Sequence, residues 1–290
     1  MKNIFTLIIL FAVTFIANAQ DIYIKTFGNT KNKAILFLHG GPGYNSASFE
    51  ATTANKLAEN GFFVIVYDRR GEGQSEDKNA KFTFQETFDD LNNIYKKYNL
   101  KKATLIGHSF GGIIATLFAE KYPKSINSMF LVSTPISLPK TFKTIIKKTR
   151  TIYEIKKDNV NLNYINMLEN MDANSIEYSS YCFAHAMQNG FYSTRNLNDL
   201  AKNIYATFKT DILLLKYASK MDYIAPQGFW KNEKYTTINL TEKLVKLKSK
   251  ELKIYSLCGK DDGLYSLEQI AETANIIGVE NTKYLEKLFK

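Results

Sequence analysis

Past an apolar leader, the chain reads as buried strands punctuated by amphipathic helices. Residues 21–27, DIYIKTF, alternate apolar and polar side chains with the period of two of a half-buried strand. The turn-rich GNTKNK leads into AILFLHGGPG at 34–43, a continuous apolar run ending in glycines, which predicts a buried strand opening into a tight loop. The pattern then predicts a helix over 49–59, a strand FFVIVYD over 62–68 and a helix over 84–98 with apolar residues three and four apart. A strand ATLIG over 103–107, a helix stopped near Pro123 and a strand INSMFLVS over 126–133 follow. Strands that alternate with helices imply an α/β fold, a mostly parallel sheet covered by helices.

The alternation lapses between about Pro135 and Lys250, where helical patterns follow one another with little strand character. It resumes with ELKIYSLCG at 251–259, a helix around 266–277 and a short strand TKYLEKL at 282–288. The expected division is therefore a leader over 1–19, a core made of 20–134 and 249–290, and an inserted helical cap over 135–248.

The leader itself, MKNIFTLIILFAVTFIANAQ, has a basic start at Lys2, an apolar run from Ile4 to Ile16 and the small-x-small sequence Ala17-Asn18-Ala19. The run is shorter than the roughly 20 residues that span a bilayer, so the expectation is a cleaved secretory signal and an exported, periplasmic or secreted protein. No later segment is long enough to span a membrane. Lys plus Arg exceed Asp plus Glu by 38 to 28, most densely over Lys140 to Asp158. Such a run is expected to be a solvated helix face, and export speaks against a nucleic-acid partner. Cys182 and Cys258 could pair outside the cytoplasm, although Cys258 lies in an apolar strand pattern that predicts a buried thiol.

Chemistry enters at LIGHSFGG. Gly107, His108, Ser109, Phe110 and Gly111 form G-x-S-x-G after a buried strand and before an apolar helix, where glycines permit a sharp turn that lifts the serine hydroxyl above the sheet. Ser109 is the candidate nucleophile. With this elbow, HGGPG at 39–43, DRRGEGQS at 68–75, the inserted helices and CGKDDGLYS at 258–266, the chain resembles the α/β-hydrolase superfamily, and HGGPG resembles its prolyl-aminopeptidase-like branch. The resemblance implies an α/β-hydrolase fold with a helical cap and assigns the oxyanion donors to the backbone N–H groups of Gly41 and Phe110. It leaves DRRGEGQS as a structural brace, and His39 as part of its own loop.

The triad acid should follow a late strand, where Asp261 and Asp262 both stand. The resemblance selects Asp262, with Asp261 the fallback. The superfamily's chain order is serine, acid, histidine, yet the three histidines are His39, His108 and His185, and none follows Asp262. The expectation is a member truncated before its histidine. His108 is expected to point back into the fold, and His185, in the cap, is a remote candidate to overhang the site. A triad without its histidine loses about 10⁶ in turnover, while oxyanion hole and binding retain roughly 10³ to 10⁴ over water.

The expected activity is acyl transfer to water from a small-molecule or short-peptide substrate, aminopeptidase-like, with activity doubtful. A carboxylesterase or lipase-like hydrolase and a non-catalytic ligand-binding relative are the alternatives. Aminopeptidase relatives hold the substrate ammonium with cap carboxylates, for which Glu154, Glu169 and Glu177 are available. No cofactor, metal cluster or phosphate loop is implied.

Overall fold

The computed structural model describes residues 22–193, 197–260 and 262–285. The predicted leader, the fallback acid Asp261 and the end of the predicted last strand lie outside these residues.

The chain opens with β1 (Ile24–Phe27) and β2 (Lys33–Leu38). A helical stretch follows, made of α1 (Ala47–Phe49), a π-turn (Glu50–Ala54) and α2 (Asn55–Glu59). Then come β3 (Phe62–Tyr67), α3 (Phe84–Lys97), β4 (Ala103–His108), α4 (Phe110–Lys121) and β5 (Ile126–Val132). Consecutive helices occupy the next stretch: α5 (Leu138–Lys156), α6 (Asn159–Glu169), α7 (Ile176–Gln188), α8 (Asp199–Thr207), α9 (Ile212–Tyr217), α10 (Ile224–Glu233) and α11 (Thr241–Ser249). The sheet resumes with β6 (Lys253–Gly259), then α12 (Leu267–Ile277) and β7 (Thr282–Leu285).

These strands form one seven-stranded sheet in the order β1-β3-β2-β4-β5-β6-β7. Only the β1–β3 pair is antiparallel, Ile24 facing Tyr67; the other neighbours run parallel. Parallel pairing brings the C-terminal ends of β2, β4, β5 and β6 to one edge, where the loops carrying the candidate chemistry emerge.

Central strands lack the polar-out alternation because both faces are covered. In β2, Leu36 and Leu38 join the larger core with Phe63, Ile65, Leu105 and Phe118. Their neighbours Ile35 and Phe37 pack on the opposite face with Val64, Val66 and Ala54. There Phe49 stacks on Phe37 with ring centroids 3.8 Å apart. α3 follows its apolar spacing, burying Phe88, Leu91, Ile94 and Tyr95, and Thr83 caps it by accepting the Glu86 N–H at 3.1 Å. In the inserted stretch, α5 packs on α6 and α7. α11, at the end of the segment between β5 and β6, packs on α4 and α12. Among the described residues no helix is long and apolar enough to cross a membrane.

Phe118 is wholly buried against Phe88, Tyr95 and Tyr122. Phe118→Ala is expected to lower unfolding free energy by about 3–5 kcal/mol in urea titration. Ile155→Ala, at a side chain 77% exposed, should change it by less than about 0.5 kcal/mol.

Candidate active site

Ser109 occupies the single residue between β4 and α4, with φ 51° and ψ −119°. A non-glycine residue held there carries strain of order 1–3 kcal/mol, so its surroundings must impose the conformation. They do so through two backbone bonds: the Ser109 N–H donates to Val132 O at 2.9 Å, and its carbonyl accepts the Gly112 N–H at 2.9 Å. Helix α4 sits so close to β2 that a Cβ on Gly111 would collide with the Leu38 carbonyl, which fixes glycine at that position. The turn presents Ser109 half-buried at the sheet edge.

The HGGPG loop lies directly beside it. A Cβ built on Gly40 would stand 3.4 Å from Ser109 Cβ and 3.0 Å from His108 Nδ1. What shapes this loop is a buried ion pair from DRRGEGQS. Arg69 and Glu72 are 2% and 1% exposed, and Arg69 Nε donates to Glu72 Oε2 at 2.5 Å. The same guanidinium donates to His39 O and to Gly40 O, both at 2.6 Å, while Glu72 Oε1 accepts the Gly43 N–H at 2.5 Å. The loop's carbonyls are thereby drawn to the arginine. Among the described residues neither the Gly41 N–H nor the Phe110 N–H has a protein acceptor. Two free donors on the loops flanking a strained serine can stabilise an oxyanion. The Phe110 side chain points away and is buried against Phe229 and Tyr235, with the Arg69 guanidinium 5.2 Å from its ring.

Asp262 follows β6. Its Oδ1 accepts the Leu264 N–H at 3.0 Å in a local turn. Burial raises its pKa, opposed by the Leu264 N–H, the neighbouring Ser133 hydroxyl and the nearby Lys148 cation. Lys148, from α5, donates to Tyr265 O at 2.6 Å, and Tyr265 donates through its hydroxyl to Ser133 O at 2.5 Å. Ser133 follows β5, and its N–H donates to Leu257 O at 2.8 Å. Ser109 and Asp262 are thus connected through the end of the intervening strand. Lys148 and Ser133 are neighbours of the acid that the sequence reading did not single out; their 114- and 129-residue separations from it leave no local signal.

None of the three histidines is hydrogen-bonded to the Ser109 hydroxyl. His39 Nε2 accepts the Arg69 N–H at 3.0 Å, which leaves its proton on Nδ1 to donate to Gly40 O at 2.8 Å. Burial, then the Arg69 charge, holds its pKa well down. The sequence reading turns His108 inward, but its ring is exposed. The Gly40 backbone nonetheless stands close to its Nδ1, and desolvation lowers its pKa. His185, the remote candidate, is buried in α7 with its Nδ1 2.9 Å from the Tyr153 hydroxyl. That contact engages it in the packing of α5 on α7.

The other candidates scatter. Glu154 and Glu177 are exposed, and Glu169 pairs with Arg150 at 2.7 Å on the surface. Cys182 and Cys258 are separate buried thiols rather than a disulfide, and burial pushes them up to about 12 and about 11. Among the described residues no three His, Cys, Asp or Glu side chains converge as metal ligands.

Residues 33–278 match the alpha/beta hydrolase fold family. A putative proline iminopeptidase of Mycoplasma pneumoniae is 31% identical over 118 residues, 40% of this chain and 37% of that protein. The proline iminopeptidase of Saccharolobus solfataricus is 30% identical over 154 residues, 47% of this chain and 49% of that protein. That of Clostridioides difficile is 38% identical over 117 residues, 39% of each chain. The chain therefore spans about half or less of the curated relatives it matches. Among solved structures, the proline iminopeptidase-related protein of Thermus thermophilus superposes with a TM-score of 0.59 at 19% identity, covering 91% of this chain and 84% of that one. A carboxylesterase structure from a Nitrososphaera species gives 0.55 at 19% identity, covering 92% and 86%. Identities this low establish the fold alone.

Breaking a buried ion pair by neutralising one partner leaves the other charge unmatched, so Glu72→Gln should cost about 3–5 kcal/mol in chemical denaturation. Glu169→Gln, which breaks the surface pair with Arg150, should cost less than about 1 kcal/mol. A second expectation concerns pH. The folded pKa of Asp262 is raised, so the folded state holds that proton more tightly than the unfolded chain. Its contribution to stability is present below the ordinary carboxylate range and lost as pH rises through the folded value. Melting temperatures across that range should show wild type losing stability relative to Asp262→Asn as pH increases; parallel curves would contradict the shift.

Proposed function

The chain belongs to the alpha/beta hydrolase fold family, and within it we propose a serine hydrolase that transfers an acyl group to Ser109 and then to water. The observation that carries this reading is the strained Ser109 turn beside the two unpaired N–H groups of Gly41 and Phe110. The Ser109 oxygen attacks the substrate carbonyl carbon as its hydroxyl proton passes to a base, and the carbonyl oxygen becomes an oxyanion received by those donors. Collapse of the tetrahedral species expels an amine or alcohol, which takes up a proton, and water then cleaves the acyl-serine ester. Asp262 is the acid member, suited to orient and charge-balance a base. We read α5 to α10 as the cap over the strand ends and residues 1–19 as an export leader.

For the leaving group, the proline iminopeptidase names of the relatives support release of an amino-terminal residue from short peptides. One observation supports a second reading, ester hydrolysis: Glu154 and Glu177 are exposed and Glu169 is paired with Arg150, so none of the three is a buried, unpaired carboxylate for a substrate ammonium.

Among the described residues no imidazole is hydrogen-bonded to Ser109, so a base supplied from solution has a proton transfer to assist. Imidazole added to the buffer should therefore stimulate hydrolysis of p-nitrophenyl acetate and of proline arylamide in a saturable, Ser109-dependent way. Ser109→Ala should retain only the uncatalysed imidazole background. Equal rates for the two proteins on both substrates would overturn the proposal. A Ser109-dependent rate on the ester alone would select the second reading.

A further inference from the structure

The loop carrying Gly41 is held from two sides, and only one of them is the Arg69–Glu72 pair. On the other, the segment joining α9 to α10 lies against it. The Asp222 N–H donates to Gly43 O at 3.0 Å, the Tyr44 hydroxyl donates to Ala218 O at 2.6 Å, and Asn45 Nδ2 donates to Tyr217 O at 2.9 Å. The approach is close enough that a Cβ on Gly43, whose φ is +90°, would strike the Asp222 carbonyl and come within 3.1 Å of Pro226 Cδ. Asn45 is 2% exposed, and its Oδ1 accepts the Ala47 N–H at 3.1 Å, so the side chain is bound at both ends.

From these contacts we infer that Asn45 is a positioning residue for the oxyanion donors, coupling the α9–α10 segment to the Gly41 N–H. This rests on the proposed role of Ser109 and Gly41. Asn45 touches no reacting atom in this account. It holds the Tyr217 and Lys220 carbonyls of the segment whose Asp222 N–H binds Gly43 O, and between Gly43 and Gly41 there is only Pro42, whose ring restricts the backbone. A shift of the 217–222 backbone is therefore passed to Gly41 with little slack. Oxyanion donors act over a window of about 2.7–3.1 Å, so sub-ångström displacement matters for the rate. The acid side has its own tether from the inserted helices, the Gly263 N–H donating to Phe191 O at 3.1 Å. That second tether supplies an internal control, because it shares no residue with the first.

Asn45→Asp tests the coupling with little change in volume. The carboxylate still accepts the Ala47 N–H but repels the Tyr217 carbonyl. Tyr44→Phe, which deletes one hydroxyl, serves as the milder variant should Asn45→Asp not fold. In amide exchange followed by mass spectrometry, each variant should speed exchange about fivefold to tenfold in peptides spanning both 41–48 and 212–224. Peptides spanning 262–277 should be unchanged. With imidazole and p-nitrophenyl acetate, kcat should fall about tenfold while KM stays within about twofold, the mark of an interaction realised in the transition state. Faster exchange confined to 212–224, or an unaltered kcat beside Ser109-dependent wild-type turnover, would overturn the inference. If wild type shows no Ser109-dependent turnover, the proposed function fails, and the exchange experiment by itself decides the coupling.

Discussion

The buried pair of Arg69 and Glu72 is the constraint on which the candidate site depends. Removing two charges from water is costly, and the structure offsets that cost by satisfying the pair with the backbone of a single loop. Arg69 binds the carbonyls of His39 and Gly40, and Glu72 takes the N–H of Gly43. Each bond uses up a polar group that would otherwise face the serine. The Gly41 N–H is the donor left over, so the shape of the oxyanion loop follows from how an ion pair beneath it is solvated.

The same logic governs the serine. An unfavourable φ at Ser109 persists because β4, β5 and α4 over-determine it: one hydrogen bond to the end of β5, one closing the first turn of α4, and a helix pressed onto Leu38 too tightly for a side chain at Gly111. Parallel strands bring these ends to one edge, and β6 adds Asp262 two strands away. The inserted helices then fasten to both halves, through Phe191 on the acid side and residues 217–222 on the oxyanion side.

Much of the core is readable along the chain because its elements are local. The apolar run over 34–38, the alternation of strand and helix up to β5, and the glycines flanking Ser109 each report a requirement met within a few residues. DRRGEGQS is read as a brace through the family resemblance, and the structure supplies the pair that does it, Arg69 with Glu72. What escapes is the long-range part. Asn45 meets Tyr217 across 172 positions, and nothing in either neighbourhood signals it. His108, read from its place on the elbow as turned inward, instead continues the alternation of β4, in which Thr104 and Ile106 are the other less buried positions. His185 is consumed by Tyr153, a contact set by how α5 packs on α7. Glu154, Glu169 and Glu177 are all exposed, a property that residue type alone does not signal.

The central claim is that one serine, selected by backbone geometry, is the nucleophile. Treating the folded protein with a fluorophosphonate in imidazole buffer and mapping the adduct by tandem mass spectrometry tests it most directly. The account predicts a single phosphonylated residue, Ser109, with modification abolished on unfolding in urea. Adducts spread over exposed serines and tyrosines, with the peptide carrying Ser109 unmodified, would contradict it.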